Sequence, residues 1–345
     1  MISDKADLSK GKRKLSGCLD LGSSYFRMLL ARRTEAAAGP RLLPPIYESR
    51  NYVGWGNEVA GKGHVSEESL ERAAGLLSRM IDDSARLGCP DPVIAGTGTF
   101  RRAANRRRII SFLRERVNLP IEVLSHRGEA AYSFLGAVSS LSGKADLILI
   151  DLGGTTTEIA MGSCGSFENY LEVPFGTHTL VRSGRRPSGR CLLRAIRNGF
   201  IRETGGCGVF RNGHIPDPAA GCSDAERVVL LTGGTAVTLG MIDSFMKGYE
   251  PDPSRDCEMS MDELQLLIRR LKSLPRERWA RVLPVTPRRA ELLPAGIVLL
   301  NLIIKSLNIN MFRVTARDLR WGIILSGDGI AGRYIFNEQE SSDSR

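Results

Sequence analysis

Long apolar runs, paired cysteines and aromatic residues are all scarce in this 345-residue sequence, and each shortage excludes a class of protein. No run of about 18 uninterrupted apolar residues exists, which excludes a conventional membrane span. The seven cysteines form no C-x-x-C motif, which argues against a disulfide framework or a zinc site. We therefore expect a cytoplasmic protein. Aromatic residues, at 6%, are not interleaved with the basic ones, which disfavours a nucleic-acid partner.

Positive charge is abundant and clustered. The net charge is +10, and the segment 182–202 contains seven arginines and no acidic residue. A second group of five arginines lies within 101–108. The positive potential of such clusters favours a polyanionic partner. For the outer arginines of the second group, a solvent-exposed helix face is an equally good explanation.

One short phrase occurs twice, as D-L-G-S-S at 20–24 and as D-L-G-G-T-T-T at 151–157. Each copy stands between two apolar runs and predicts a strand, a tight polar turn and a second strand. A single copy also fits an ordinary hairpin. The repetition at domain-sized spacing instead predicts two related halves, each with its own sheet.

These turns suit phosphate chemistry. Glycines remove the Cβ that would block close approach, and successive backbone N–H groups can form a nest for anionic oxygens. An Asp at the end of the strand could hold a metal. Two further loops, G-T-G-T at 96–99 and T-G-G-T at 232–235, each join an apolar strand to a predicted helix. Arg101 is predicted to lie in the first turn of the helix after 96–99, which favours an anion there.

The length fits two domains. We predict a disordered basic tail over 1–14, a first domain over 15–126, a second over 127–326 and a disordered tail over 327–345. The last helix is expected either to stay with the second domain or to pack back on the first. Helices are predicted over 66–87, 100–113, 130–141, 236–246, 261–271, 295–307 and 318–325, with a surface loop over 247–260.

Five motifs in order resemble the exopolyphosphatase/guanosine pentaphosphate phosphatase (Ppx/GppA) family. They are D-L-G-S at 20–23, G-T-G-T-F-R at 96–101 with Asn105, L-S at 124–125 with Glu129 and Ala130, I-D-L-G-G at 150–154 with Thr157 and Glu158, and T-G-G-T at 232–235. Pro284, Arg288, Arg289, Ala290, Gly296 and the segment 314–324 fall where that family has its closing motif. The resemblance implies an α/β fold of two ribonuclease-H-like domains with mixed sheets, the actin/Hsp70/sugar-kinase architecture, with the active site in an interdomain cleft. The chain resembles the family's short form.

The resemblance also implies roles for individual residues. Glu129 matches the catalytic glutamate that activates or orients the attacking water, and Asp151 with Glu158 matches the acidic pair around Mg²⁺. The matching phosphate-binding residues are Asp20, Gly22, Ser23, Ser24, Arg101, Gly153, Gly154, Thr155, Thr156, Gly233, Gly234 and Thr235. The chemistry of phosphoryl transfer is consistent with these roles. The reaction requires cationic or N–H groups that neutralise the negative charge on the transferring phosphate, and a group that orients the attacking water in line.

The implied activity is release of the terminal phosphate from inorganic polyphosphate or from pppGpp, by Mg²⁺-assisted in-line attack of water. The expected partners are polyphosphate or guanosine penta- and tetraphosphate. No membrane partner is expected. A homodimer is compatible with the resemblance. Two departures stand out. The family usually carries a Gly before two acidic residues and then an Arg, and in the segment 126–131 one Glu and the Arg are missing; after Asp151, Thr155 replaces the usual third glycine. They leave open a catalytically weakened polyphosphate or (p)ppGpp sensor, and the same turns also serve actin-fold kinases and ATPases.

Overall fold

The computed structural model of the protein describes residues 14–36, 39–42, 44–139, 141, 145–163, 166–183, 226–327, 329–331 and 334–336. Most of the two predicted tails, the arginines from 185 to 202 and His214 lie outside these residues. The chain divides into two compact units, one extending to Val123 and including Ile323–Ile335, the other running from Leu124 to Gly322.

A six-stranded mixed sheet forms the first unit. Its strands are β1 (Lys14–Leu21), β2 (Tyr25–Ala36), β3 (Gly39–Leu42), β4 (Tyr47–Tyr52), β5 (Val93–Gly96) and β6 (Glu122–Val123). They run in the order β3-β2-β1-β5-β6, and β4 also pairs with β2. The helices are α1 (Trp55–Lys62), α2 (Glu67–Arg86), α3 (Gly98–Arg102) and α4 (Arg106–Val117). Phe26, Trp55 and Phe100 meet at ring-centroid distances of 5.2 and 5.8 Å in its core.

The second unit contains another six-stranded mixed sheet. Its strands are β7 (Ala145–Leu152), β8 (Thr157–Ser163), β9 (Ser166–Val173), β10 (Glu226–Thr232), β11 (Cys257–Ser260) and β12 (Met311–Val314), in the order β11-β12-β10-β7-β8-β9. The helices are α5 (His126–Val138), α6 (Thr177–Ser183), α7 (Gly233–Met246), α8 (Met261–Ser273), α9 (Trp279–Val282), α10 (Pro287–Ser306) and α11 (Leu319–Ser326). The boundary between the two units falls within α11.

The two sheets repeat one topology, as the duplicated phrase predicts. In the first, β1 pairs antiparallel with β2 and parallel with β5, which pairs parallel with β6. In the second, β7 pairs antiparallel with β8 and parallel with β10, which pairs parallel with β12. The duplicated D-L-G phrase ends β1 in one sheet and β7 in the other. The predicted fold class is therefore confirmed.

Several predicted boundaries are wrong. The helix expected over 100–113 is two helices, because the Asn105 side chain bonds both the N–H and the carbonyl of Val65, at 3.1 and 2.8 Å, and holds the chain out of helical geometry. The predicted loop 247–260 ends in β11, which pairs with β12. Helix α10 starts eight residues before the predicted 295, where Thr286 caps it and Pro287 occupies its first turn.

The predicted helix over 66–87 is confirmed as α2, which Ser66 caps by accepting a hydrogen bond from the Ser69 N–H. Within the described part of the chain, no helix combines the length and apolarity that crossing a membrane requires.

Candidate active site

Three carboxylates form a row across neighbouring strands of the second sheet. Asp151 on β7 lies directly opposite Glu158 on β8, and Glu158 lies directly opposite Glu172 on β9. Residues in such opposed positions have Cβ atoms about 5 Å apart, and like charges there repel. We call Asp151, Glu158 and Glu172 the carboxylate ladder. The sequence predicts the first two as a pair but not the third.

One face of helix α5 lies against this ladder. His126, Glu129 and Ser133 are spaced i, i+3 and i+7, so they share one side of the helix. The His126 Nδ1 contacts the Glu172 carboxylate directly. The Ser133 hydroxyl lies 3.4 Å from Asp151 Oδ2, within reach for donation.

Glu129, between those two contacts, faces the middle of the ladder. Its charge acts directly on Glu158. The helix begins four residues earlier than the predicted 130, because the Ser125 side chain accepts a hydrogen bond from the Gly128 N–H at 3.0 Å and caps it at that point. Glu129 therefore stands in the first helical turn, where the helix dipole favours a carboxylate.

Glu158 is the buried member of the ladder, whereas Asp151 and Glu172 are half-buried. Only 7% of its surface is exposed, and burial raises its pKa well above the ordinary value for Glu. The negative charges of Glu129, Asp151 and Glu172 raise this pKa further, and the hydrogen bond from Thr156 at 2.6 Å opposes them. A cation at this place would relieve the repulsion.

The donor chemistry fits Mg²⁺ at Asp151 and Glu158. In the described part of the chain, no three His, Cys, Asp or Glu side chains are placed to hold one metal ion together. Mg²⁺ does not need such a cage, because it commonly binds through one or two carboxylates and completes its shell with water and substrate phosphate. Its presence stays a prediction.

The turn after β7 is closed by its own backbone. The Gly153 N–H donates to the Thr156 carbonyl at 3.1 Å, and the His178 N–H donates to the Gly154 carbonyl at 2.7 Å. In the first unit the Gly22 N–H likewise donates to the Tyr25 carbonyl at 3.0 Å. The N–H groups of Gly22 and Gly153 therefore shape the two turns. The phosphate-binding roles of Gly154, Thr155 and Thr156 remain predictions.

The loop between β10 and α7 approaches the ladder closely. Gly233 has a φ of +88°, and a Cβ there would lie 2.5 Å from the Leu152 carbonyl oxygen and 2.9 Å from Asp151 Oδ1. Gly234 packs against the guanidinium of Arg289. Thr235 is 1% exposed and lies against Gly296 of α10, so its hydroxyl points into the packing.

In the first unit, the equivalent Asp carries a counter-ion. Asp20 is 1% exposed and its Oδ2 accepts from Arg27 Nε at 2.8 Å and also from Nη2. Arg27 is the residue directly opposite Asp20 across β1 and β2. This ion pair holds Asp20 at the turn, and its role in phosphate binding remains a prediction.

The turns 22–24 and 96–99 of the first unit lie next to each other. Arg102 Nη2 lies 3.5 Å from Ser23 Oγ, and a Cβ at Gly98 would lie 2.7 Å from the same oxygen. The Ser24 carbonyl accepts from the Val53 N–H at 2.9 Å. Arg101 is 7% exposed, within the five-residue helix α3.

Sequence reasoning missed the residues that complete both sites: Arg27, His126, Ser133 and Glu172. A signal existed for Arg27, since it follows Asp20 by seven residues just as Glu158 follows Asp151. His126 and Ser133 could have been found from the helical spacing around Glu129. Glu172 carries no local signal, because only the strand register brings it to Glu158.

Comparison with known proteins confirms the predicted resemblance. The model of the Ppx/GppA phosphatase family matches residues 33–188, a range that includes Arg101, Glu129, Asp151 and Glu158. An uncharacterized protein of Streptomyces coelicolor is 25% identical over 315 residues, which cover 89% of this chain and 88% of that protein.

Solved structures share the fold. The Ppx/GppA family member of Aquifex aeolicus has a TM-score of 0.70 at 20% identity, over 91% of this chain and 97% of its own. An exopolyphosphatase of Cytophaga hutchinsonii has a TM-score of 0.71 at 18% identity, over 92% and 100% respectively. At these identities the likeness establishes the two-domain actin-like architecture.

Proposed function

We propose that this chain, a relative of the Ppx/GppA phosphatases, is a Mg²⁺-dependent phosphohydrolase that removes the terminal phosphate from inorganic polyphosphate, from pppGpp or from both. The observation that carries the proposal is the position of Glu129 on the α5 face that contacts the ladder, from which its charge acts on Glu158. A carboxylate next to a cation-binding pair is what water attack on a phosphoanhydride requires.

In this proposal Glu129 accepts a hydrogen bond from the attacking water and takes its proton as the oxygen approaches the terminal phosphorus. A new P–O bond forms, the bond to the bridging oxygen breaks, and orthophosphate and the shortened chain leave. Mg²⁺ bound by Asp151 and Glu158 would neutralise charge on the phosphate oxygens. Ser133, by donating to Asp151, holds that carboxylate in place.

The fold relative from Cytophaga hutchinsonii is described as an exopolyphosphatase, which supports polyphosphate as a substrate here. The seven arginines of 182–202 support it too, because a long polyanion gains more from a basic field than a short one does. The pppGpp activity rests on the family resemblance alone.

The test is a phosphate-release assay with both substrates side by side, with and without Mg²⁺. Wild type should release orthophosphate only with the metal. Glu129→Gln, which keeps the shape and removes the base, should lower kcat by about 10²- to 10⁴-fold. Glu168→Gln is the matched control, since it neutralises an exposed carboxylate on β9 outside the ladder. Equal rates for wild type and Glu129→Gln would overturn the proposal.

The sensor alternative is favoured by one observation, the absence from the segment 126–131 of one Glu and the Arg that the family usually carries beside the catalytic Glu. The same experiment separates it: tight polyphosphate binding by calorimetry without release dependent on Glu129 would identify a sensor. ADP formation that depends on an acceptor would identify a kinase.

A further inference from the structure

Helix α5 carries a carboxylate, Glu129, on the face that packs against the carboxylates of the ladder. The negative charge of Glu129 acts on Glu158, which is flanked by Asp151 and Glu172 across the strands. Like charges repel, so this arrangement disfavours the packing of α5 against the sheet unless other contacts hold the helix there. The contacts on the same helix face must therefore offset this repulsion.

The contacts that flank Glu129 are the ones that touch the ladder. One turn before it, His126 pairs with Glu172, and one turn after it, Ser133 reaches Asp151. His126 and Ser133 thus meet the ladder on β9 and β7, and the charge of Glu129, between them on the helix face, acts on Glu158 of β8. The register of α5 over the sheet is fixed at both ends, with Glu129 in the middle.

We propose that His126 and Glu172 form a positioning pair that holds Glu129 over the Asp151–Glu158 site. The inference rests on the proposed function and adds two residues to it. Neither is a catalytic residue, since the pair acts through Glu129. Glu172 supplies the acceptor on the sheet, and the His126 Nδ1–H donates to it from the first turn of α5.

A neighbouring contact provides the control. Arg127, in the same turn, donates to the Glu168 carbonyl at 3.3 Å and lies with its guanidinium 5.1 Å from the centroid of the Phe167 ring. Arg127→Ala therefore removes another tie between α5 and β9 without touching the ladder. A general loosening of the helix would affect this variant and His126→Ala alike.

The first measurement is steady-state kinetics of phosphate release. His126→Ala and Glu172→Ala should each lower kcat by about 10- to 100-fold with KM little changed, because a misplaced base loses the aligned water and not the substrate. The double variant should be no worse than either single variant. Glu172→Gln, which keeps an oxygen acceptor for the imidazole N–H, should retain most of kcat, and Arg127→Ala should match wild type.

The second measurement does not depend on turnover. Amide hydrogen exchange in the segment 126–133 should rise in His126→Ala and Glu172→Ala above the level in Arg127→Ala. If wild type released no phosphate, the proposed function would fall, and this exchange pattern would still decide for or against the pair. Unchanged kcat and exchange in His126→Ala would overturn the inference. Equal losses of kcat in Glu172→Ala and Glu172→Gln would overturn it too, because they would show that Glu172 acts through its negative charge and not as a hydrogen-bond acceptor for His126.

Discussion

Asp151 lies directly opposite Glu158 across strands β7 and β8, so two carboxylates face each other at the end of the duplicated turn. The first sheet has the same spacing at the same place, but there Asp20 faces Arg27 and the two form an ion pair. One copy of the repeat is thus neutralised internally and the other has negative charge in excess. We therefore expect the second copy, and not the first, to bind a divalent cation.

The first prediction concerns metal affinity. Asp151→Asn and Glu158→Gln should each weaken Mn²⁺ binding, measured by calorimetry, by about tenfold or more, because each removes one charge from the pair. Asp20→Asn is the matched control and should leave the affinity unchanged, since Arg27 already balances that charge. Equal weakening in all three variants would contradict the prediction that the cation binds at Asp151 and Glu158 and not at Asp20.

The second prediction concerns the stability of the first unit. Arg27→Leu leaves the Asp20 carboxylate buried at 1% exposure without its counter-ion, and should lower the free energy of unfolding by about 3 kcal/mol. Urea denaturation monitored by circular dichroism measures this change. Arg72→Leu, which removes an exposed ion pair with Glu68 on α2, is the comparison and should cost less than about 1 kcal/mol. A similar loss in both variants would show that the buried Asp20–Arg27 ion pair contributes no more to the free energy of unfolding than an exposed one.

The third prediction separates backbone strain from crowding at the loop after β10. Gly233 and Gly248 have nearly equal φ angles, +88° and +86°, but only Gly233 has atoms in the way of a Cβ. Gly248→Ala should therefore cost only the backbone term, about 1 to 2 kcal/mol. Gly233→Ala should cost more and also weaken Mn²⁺ binding, because its methyl group would displace Asp151. Equal stability losses with intact metal binding would refute the crowding argument.

The sequence predicts the parts of this fold that depend on local chemistry. The duplicated turns, the cap at Ser66 and the pairing of Asp151 with Glu158 across one hairpin all follow from residues a few positions apart. Glu172 could not be found in this way. Its position depends on the register between β8 and β9, which shifts at an irregularity between Met161 and Gly162. Such a shift changes which residue opposes Glu158 and leaves no mark in the local pattern.

The start of α5 shows a signal that was present but missed. Ser125 is a preferred cap residue, and His126 to Glu129 completes the first turn after it. Glycine at 128 favours a loop on propensity alone, and tertiary packing against the sheet overrides that preference. With the helix started at 126, its i, i+3, i+7 face could have been recognised in the sequence.

The fourth prediction concerns the seven arginines of 182–202, of which those from 185 to 202 lie outside the described part of the chain. If they contact substrate, polyphosphate affinity should fall steeply with salt, because many counterions are released on binding. pppGpp carries fewer charges, and its slope of log affinity against log salt should be shallower. Calorimetric titrations across a salt series measure both slopes, and equal slopes would exclude this stretch from substrate binding.

The last prediction uses His178, whose backbone N–H bonds the turn at Gly154. Burial lowers the pKa of His178 below its ordinary value of 6.5, and the positive charges of Arg288 and Arg289 lower it further. As pH falls below 6.5, the unfolded chain takes up this proton before the folded one, so the His178 contribution lowers the free energy of unfolding toward acid pH. His178→Gln should flatten that part of the pH profile of stability.

A bound phosphate chain should reverse the shift. Anionic oxygens beside Arg288 and Arg289 would offset the two positive charges and raise the pKa of His178 toward 6.5. NMR titration of the imidazole C–H signals, with and without saturating pyrophosphate and with His178→Gln to assign the resonance, measures this directly. A His178 pKa that stays fixed while pyrophosphate binds would place the phosphate chain away from the two arginines and from the turn at Gly154.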